Sequence, residues 1–153
     1  MAGRETPATR ALHDAGVAFE LREYAHDPAA GSYALEAADA LGLDPDSVFK
    51  TLVVDRDGTL TACLVPSAYQ LDTRALGKRV ALAQPDRAEK VTGYVTGGIS
   101  PFGQRRPLPT FVDETVELLD TVWVSGGRRG LEIGVAPADL VEQLRAEVRA
   151  IAR

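Results

Sequence analysis

Eight of the chain's fourteen glycines fall between Gly93 and Gly134, interleaved with β-prone segments. Glycine weakens the interior of any regular element, so a stretch this rich in it must consist of short strands joined by tight loops. Two loops stand out. The first, Thr92-Gly93-Tyr94-Val95-Thr96-Gly97-Gly98-Ile99-Ser100-Pro101-Phe102-Gly103-Gln104, is too glycine-rich for a helix and too apolar for a solvated linker. It reads either as a binding loop presenting N–H groups to an anion or developing oxyanion, or as a plain connection between strands. The second, Ser125-Gly126-Gly127-Arg128-Arg129-Gly130, carries the same two readings with two arginines added. Arg128 or Arg129 either contacts a phosphate or borders a solvated turn. The loop lacks the lysine spacing of a P-loop and the strand-helix context of a dinucleotide fingerprint.

The remaining chain alternates strand and helix signals. Thr6-Pro7 caps a helix over residues 7 to 15 that stops at Gly16. Val17, Phe19 and Leu21 alternate with Ala18, Glu20 and Arg22, which predicts a strand with one buried face ending near Tyr24, and His26-Asp27-Pro28 breaks it. A helix follows over Tyr33 to Leu41, stopped by Gly42, and Asp44-Pro45 opens a turn. Ser47 to Asp55 and Thr59 to Val65 form a hairpin around Arg56-Asp57-Gly58. Leu71 to Leu76 and Pro85 to Val91 read as short helices flanking a strand at Arg79 to Ala83. Strands follow at Thr110 to Asp113, Thr121 to Ser125 and Leu131 to Ala136. After Pro137 a closing helix places Leu140, Val141, Leu144, Val148 and Ile151 on one face. The pattern predicts a mixed α+β fold with helices packed around a curled, barrel-like sheet.

With 153 residues, 45% of them hydrophobic, the chain suits a single domain, taken here as residues 1–153. The polar opening from Met1 to Arg10 does not resemble a secretory signal, and no apolar run would span a bilayer, so a cytoplasmic location and no membrane partner are expected. A lone cysteine, Cys63, and two histidines, His13 and His26, predict neither a disulfide framework nor a histidine/cysteine zinc site; a carboxylate-held magnesium is left open with nothing in the sequence to support it, and no cofactor is expected. The net charge of −5 argues against a protein that coats DNA or RNA. Residues 78 to 129 hold eight basic and six acidic side chains, a local +2 against −7 elsewhere, compatible with a shallow grip on a few phosphates.

Lys50 is the most informative single residue. It sits inside Val48-Phe49-Lys50-Thr51-Leu52-Val53-Val54 and shares a strand face with Val48, Leu52 and Val54, so it is either an edge-strand lysine that snorkels to water or one held for a purpose. Cys63 reads as a small core residue, and both histidines as structural or surface groups. Tyr24 is an edge aromatic or a pocket wall, and Glu132 is the outward face of a strand or a polar group beside a pocket. No Gly-x-Ser-x-Gly elbow, cysteine/histidine pair or histidine-rich metal site appears, so a catalyst of this sequence must draw its nucleophile from the substrate or from water.

Taken together, Tyr24-Ala25-His26-Asp27-Pro28, Val48-Phe49-Lys50-Thr51-Leu52, the 92–104 loop and Val124-Ser125-Gly126-Gly127-Arg128-Arg129-Gly130-Leu131 resemble the YbaK/EbsC family of Cys-tRNA(Pro) deacylases, whose fold also occurs as the editing insertion of prolyl-tRNA synthetases. The resemblance runs from about Thr6 to Ile151. It implies a cytosolic α+β domain that removes cysteine from tRNA(Pro), binding the aminoacylated acceptor end without a metal, with prolyl-tRNA synthetase as a partner. It implies the essential lysine at Lys50, the pocket tyrosine at Tyr24 and the substrate-cradling loop at Gly97, Gly98, Ile99, Ser100 and Pro101. The proposed family chemistry is attack by the cysteinyl thiol on its own ester, with backbone N–H groups at Gly97 and Gly98 receiving the oxyanion. Two residues depart from the family pattern: Glu132 stands where an aspartate is usual, and Tyr69 where a glycine is usual. Related proteins clear alanine, serine or threonine with water, and a non-catalytic tRNA-binding module is the reading from a different class.

Overall fold

The computed structural model describes residues 4–27 and 32–153. The expectations placed on Met1 to Gly3 and on Pro28 lie outside the described residues.

The opening helix α1 (Pro7–Asp14) begins as its capping signal requires. The Thr9 N–H donates to the Thr6 hydroxyl and the Thr6 N–H donates to the Thr9 hydroxyl, at 3.2 and 2.9 Å. The Thr6 hydroxyl also donates to the Gly126 carbonyl at 2.5 Å, tying the helix to the second glycine loop. Strand β1 (Glu20–Glu23) follows, then α2 (Tyr33–Leu41), which ends at Gly42 with a φ of 67°.

Strands β2 (Phe49–Arg56) and β3 (Thr59–Pro66) form the expected hairpin, in register from Phe49 opposite Pro66 to Arg56 opposite Thr59. Asp57 and Gly58 both have positive φ, 50° and 92°, the geometry that matches a two-residue turn to strand twist. Then come β4 (Val80–Leu82), α3 (Pro85–Thr92), β5 (Thr110–Asp113), β6 (Val122–Ser125), β7 (Leu131–Val135), α4 (Pro137–Leu144) and β8 (Glu147–Arg149). Short 3-10 turns occupy Pro45–Ser47, Thr73–Leu76 and Glu114–Leu118.

The strands form two sheets, one in the order β1-β7-β6 and one in the order β4-β2-β3-β5-β8, with β3–β5 and β5–β8 parallel. The α+β class is as expected, but the sheet is not a closed barrel. Among the described residues, one bridge, Val48 to Trp123, joins the two sheets, and beyond it β2 diverges to pair with β4. Side chains alternate across β3. Leu64 enters the core shared with Val122, Val124, Ile133 and Leu140, while Cys63 and Val65 face a second cluster with Val54, Leu76, Phe111 and Ile151. Cys63 is fully buried, and burial pushes its thiol up to about 12.

The closing helix is shorter than its periodicity suggests. It stops at Leu144 because Arg145 turns left-handed, with φ 49°, and the Ala146 N–H donates back to Val141. Val148 therefore lies on β8 opposite Val112, and Ile151 enters the second cluster. The Ile151 and Ala152 N–H groups both donate to the buried Asp113 carboxylate at 2.9 Å, which anchors this extended tail.

Candidate functional site

Where the two sheets diverge beyond Val48, a cavity of about 490 Å³ opens. Its floor is β2 from Phe49 to Val53. Its walls come from the start of α2, the β4–α3 junction, the Thr96–Gly97 segment, Ser125 and Glu132. Of the residues singled out from sequence, Tyr24, Lys50, Gly97, Ile99 and Glu132 line this cavity; Gly98, Ser100, Pro101, Arg128 and Arg129 do not.

Lys50 is half-buried, and its Nζ lies 3.5 Å from the Ser67 carbonyl. Burial lowers the ammonium's pKa below its ordinary value, and no carboxylate within ion-pairing distance of it is found among the described residues. A lysine in this state is an uncommitted positive charge at the cavity floor, available to a phosphate or to developing negative charge.

Glu132 is only 6% exposed, and desolvation pushes its carboxyl up to about 8, so at neutral pH it is mostly the neutral acid. Burial raises the Tyr24 phenol to about 12, with the Glu132 charge adding to the effect. The Tyr24 N–H donates to the Gly130 carbonyl at 3.0 Å, which fixes the tyrosine where β1 ends.

The first glycine loop divides its work. Gly97 has φ 91°, and a Cβ there would sit 2.6 Å from Arg129 Nε and 2.8 Å from Tyr33 Cε2, so glycine alone fits. The Gly98 N–H is committed to the Val95 carbonyl at 2.8 Å, so it cannot also serve an oxyanion. Ser100 is fully buried, its hydroxyl accepting from the Phe102 N–H at 3.3 Å and its carbonyl from Gln104 Nε2 at 3.1 Å. Ser100 and Pro101 thus shape the turn behind the wall.

Arg129 clasps the wall from outside. Its Nε and Nη2 donate to the Thr96 carbonyl at 3.3 and 2.9 Å, while the Thr96 N–H donates to Glu89 at 2.8 Å. Arg128 reaches the Glu23 carboxylate at 3.0 Å. Sequence reasoning passed over Tyr33, Thr51, Pro85 and Ser125, which also line the cavity. Only Thr51 and Ser125 lay within quoted motifs, and neither carries a residue type that stands out by itself. Among the described residues no group of three or more His, Cys, Asp or Glu side chains is placed to hold a metal ion, and no helix is long and apolar enough to cross a membrane.

The pattern that defines the aminoacyl-tRNA editing domain family matches residues 27–142. The chain belongs to this family. The editing domain is 34% identical over 107 residues to an Enterococcus faecalis protein provisionally named Cys-tRNA(Pro)/Cys-tRNA(Cys) deacylase EbsC, covering 65% of each chain. It is 29% identical over 103 residues to the proline–tRNA ligase of Moorella thermoacetica, covering 64% of this chain and 18% of the ligase. The match therefore spans just under two thirds of the first relative and less than a fifth of the second. A crystal structure provisionally described as a trans-editing enzyme for prolyl tRNA synthetase superposes on the editing domain with a TM-score of 0.83 at 29% identity, covering 97% of this chain and 98% of that one.

Proposed function

We propose that this protein, acting as one cytoplasmic editing domain, removes cysteine mischarged on tRNA(Pro) by letting the cysteinyl thiol attack its own ester. The observation that carries the reading is a cavity that joins an uncommitted Lys50 ammonium to Gly97, Tyr24 and Glu132, with no cysteine or histidine among the described residues that line it. The similarity to EbsC supports cysteine as the amino acid.

In this scheme the sulfur bonds to the ester carbonyl carbon, the bond from that carbon to the ribose oxygen breaks, and the thiol proton ends on the freed ribose hydroxyl. The amino acid leaves as a β-thiolactone, which water then opens. Lys50 supplies a positive field that favours the thiolate, whose ordinary pKa is about 8.5. The Gly97 N–H donates to the oxyanion, a contact typically worth about 3 kcal/mol. Proline has no thiol and is spared even when it enters. Ile99 packs against the amino acid, and Ser100 and Pro101 hold the loop that cradles it. Arg128 and Arg129 border the entry used by the tRNA acceptor end, and prolyl-tRNA synthetase supplies the choice of tRNA.

A second reading rests on Glu132. A carboxyl near pH 8 is suited to pass a proton to or from water, which would clear alanine, serine or threonine instead. Release of amino acid from Cys-, Ala- and Ser-tRNA(Pro), with S-methylcysteinyl-tRNA(Pro) alongside, separates the two. Thiol attack requires loss of cysteine alone and survival of the S-methyl ester; loss of alanine, serine or the S-methyl ester would replace it with the water mechanism.

A further inference from the structure

Strand β2 has a gap in its ladder at Thr51, and the hydrogen-bond parity of the sheet shows where the unpaired groups point. The Ser67 N–H donates to the Val48 carbonyl at 2.7 Å, so the backbone groups of Val48, Lys50 and Leu52 face β3. On the other edge, the Ala83 N–H donates to the Val53 carbonyl at 2.9 Å, so Val53 and Thr51 face β4. Continuing that register, the next partner for Thr51 would be residue 85. That residue is Pro85, which has no N–H and opens α3, so β4 ends short of it.

The Thr51 N–H and carbonyl are therefore without a ladder partner on β4, at the edge of the cavity that Thr51 and Pro85 both line. The Thr51 Oγ1 is also buried with no hydrogen-bond partner among the described residues. Among the described residues, one side-chain oxygen without a hydrogen-bond partner and two backbone groups without a β4 partner, all of one residue beside a cavity, make a deficit that a ligand would repair.

Building on the proposed deacylation, we infer that this gap is the subsite for the amino-acid backbone of the substrate. The α-ammonium group of the aminoacyl ester donates to the Thr51 carbonyl and Oγ1, and the ester carbonyl oxygen accepts from the Thr51 N–H. The substrate thereby occupies the ladder position that Pro85 vacates. The Thr51 N–H also supplies the oxyanion donor that Gly98 cannot, since the Gly98 N–H is committed to Val95. Recognition of this kind reads groups common to all α-amino acids and leaves the side chain to the rest of the cavity.

The test is binding of two stable probes, 3′-(L-alanylamino)-3′-deoxyadenosine and its propionyl counterpart lacking the amine, to wild type and to Thr51→Val. In wild type the alanyl probe should bind about tenfold tighter, since a hydrogen bond to a charged group is being read, and should shift the Thr51 backbone amide resonance. Thr51→Val should shrink that preference several-fold, and an undiminished preference in this variant would also overturn the inference. Equal binding of both probes to wild type, or an unmoved Thr51 amide with the alanyl probe bound, would overturn the inference. Because neither probe can be cleaved, the result stands apart from whether cysteine is released from tRNA.

Discussion

The guanidinium of Arg129 lies 4.4 Å over the ring of Tyr33, and it does so while donating twice to the Thr96 carbonyl. One side chain thus links α2, the first glycine loop and the second glycine loop around the mouth of the cavity. Gly97 passes directly beneath this contact, which is why no Cβ fits there.

Arg129→Ala should free the Thr96–Gly97 segment and lower kcat of the proposed deacylation about tenfold, with a smaller change in KM. Arg129→Lys should not rescue it, because an ammonium cannot fork onto the carbonyl and cover the ring together. Steady-state kinetics of the three proteins check this. A loss confined to KM and relieved by lysine would instead mark Arg129 as a simple phosphate contact.

Gly97→Ala should act through the same clasp. Its positive φ and its contacts with Arg129 and Tyr33 require the loop to move, so activity should fall at least tenfold while thermal stability drops by only about 1–2 kcal/mol. Thermal melts and turnover on the same preparation would separate the two effects.

Glu132 makes stability depend on pH in a defined direction. Its folded pKa of about 8 stands above the ordinary 4.5, so between those values the folded chain holds a proton that the unfolded chain has released. The stabilising effect of that proton is complete below about pH 4.5 and is lost as pH rises to about 8. Glu132→Gln, which removes the titration, should flatten this part of the profile and melt higher than wild type at pH 8 relative to their difference at pH 5. Parallel profiles for the two proteins would contradict the buried neutral acid.

Much of the fold is legible in the sequence because its punctuation is local. Thr6-Pro7 starts a helix, Gly42 ends one, and Asp57-Gly58 turns the hairpin, each through conformational preferences that need no tertiary context. The closing segment misleads because Val148 satisfies a helical period and a strand alike, and the turn at Arg145 uses an arginine where glycine is the usual signal. Tyr24, Lys50, Gly97, Ile99 and Glu132, though far apart in sequence, converge on one cavity. The gap at Thr51 is invisible from sequence, since it depends on register between β2 and β4 and on Pro85 falling at one ladder position.

Arg145→Gly turns that misreading into an experiment. A continuous helix would lose about 1 kcal/mol on gaining a glycine, whereas a left-handed residue at the helix end should gain up to about 1 kcal/mol. Denaturant unfolding of the variant gives the sign.

The central claim is that Lys50 serves the chemistry of the cavity and is not part of the scaffold. Release of cysteine from purified Cys-tRNA(Pro) by wild type and Lys50→Ala, with the melting temperature of each recorded, tests it most directly. The expected result is release by wild type and loss of at least a hundredfold in a variant that melts within a few degrees of it. A folded Lys50→Ala that still releases cysteine at the wild-type rate would contradict the account.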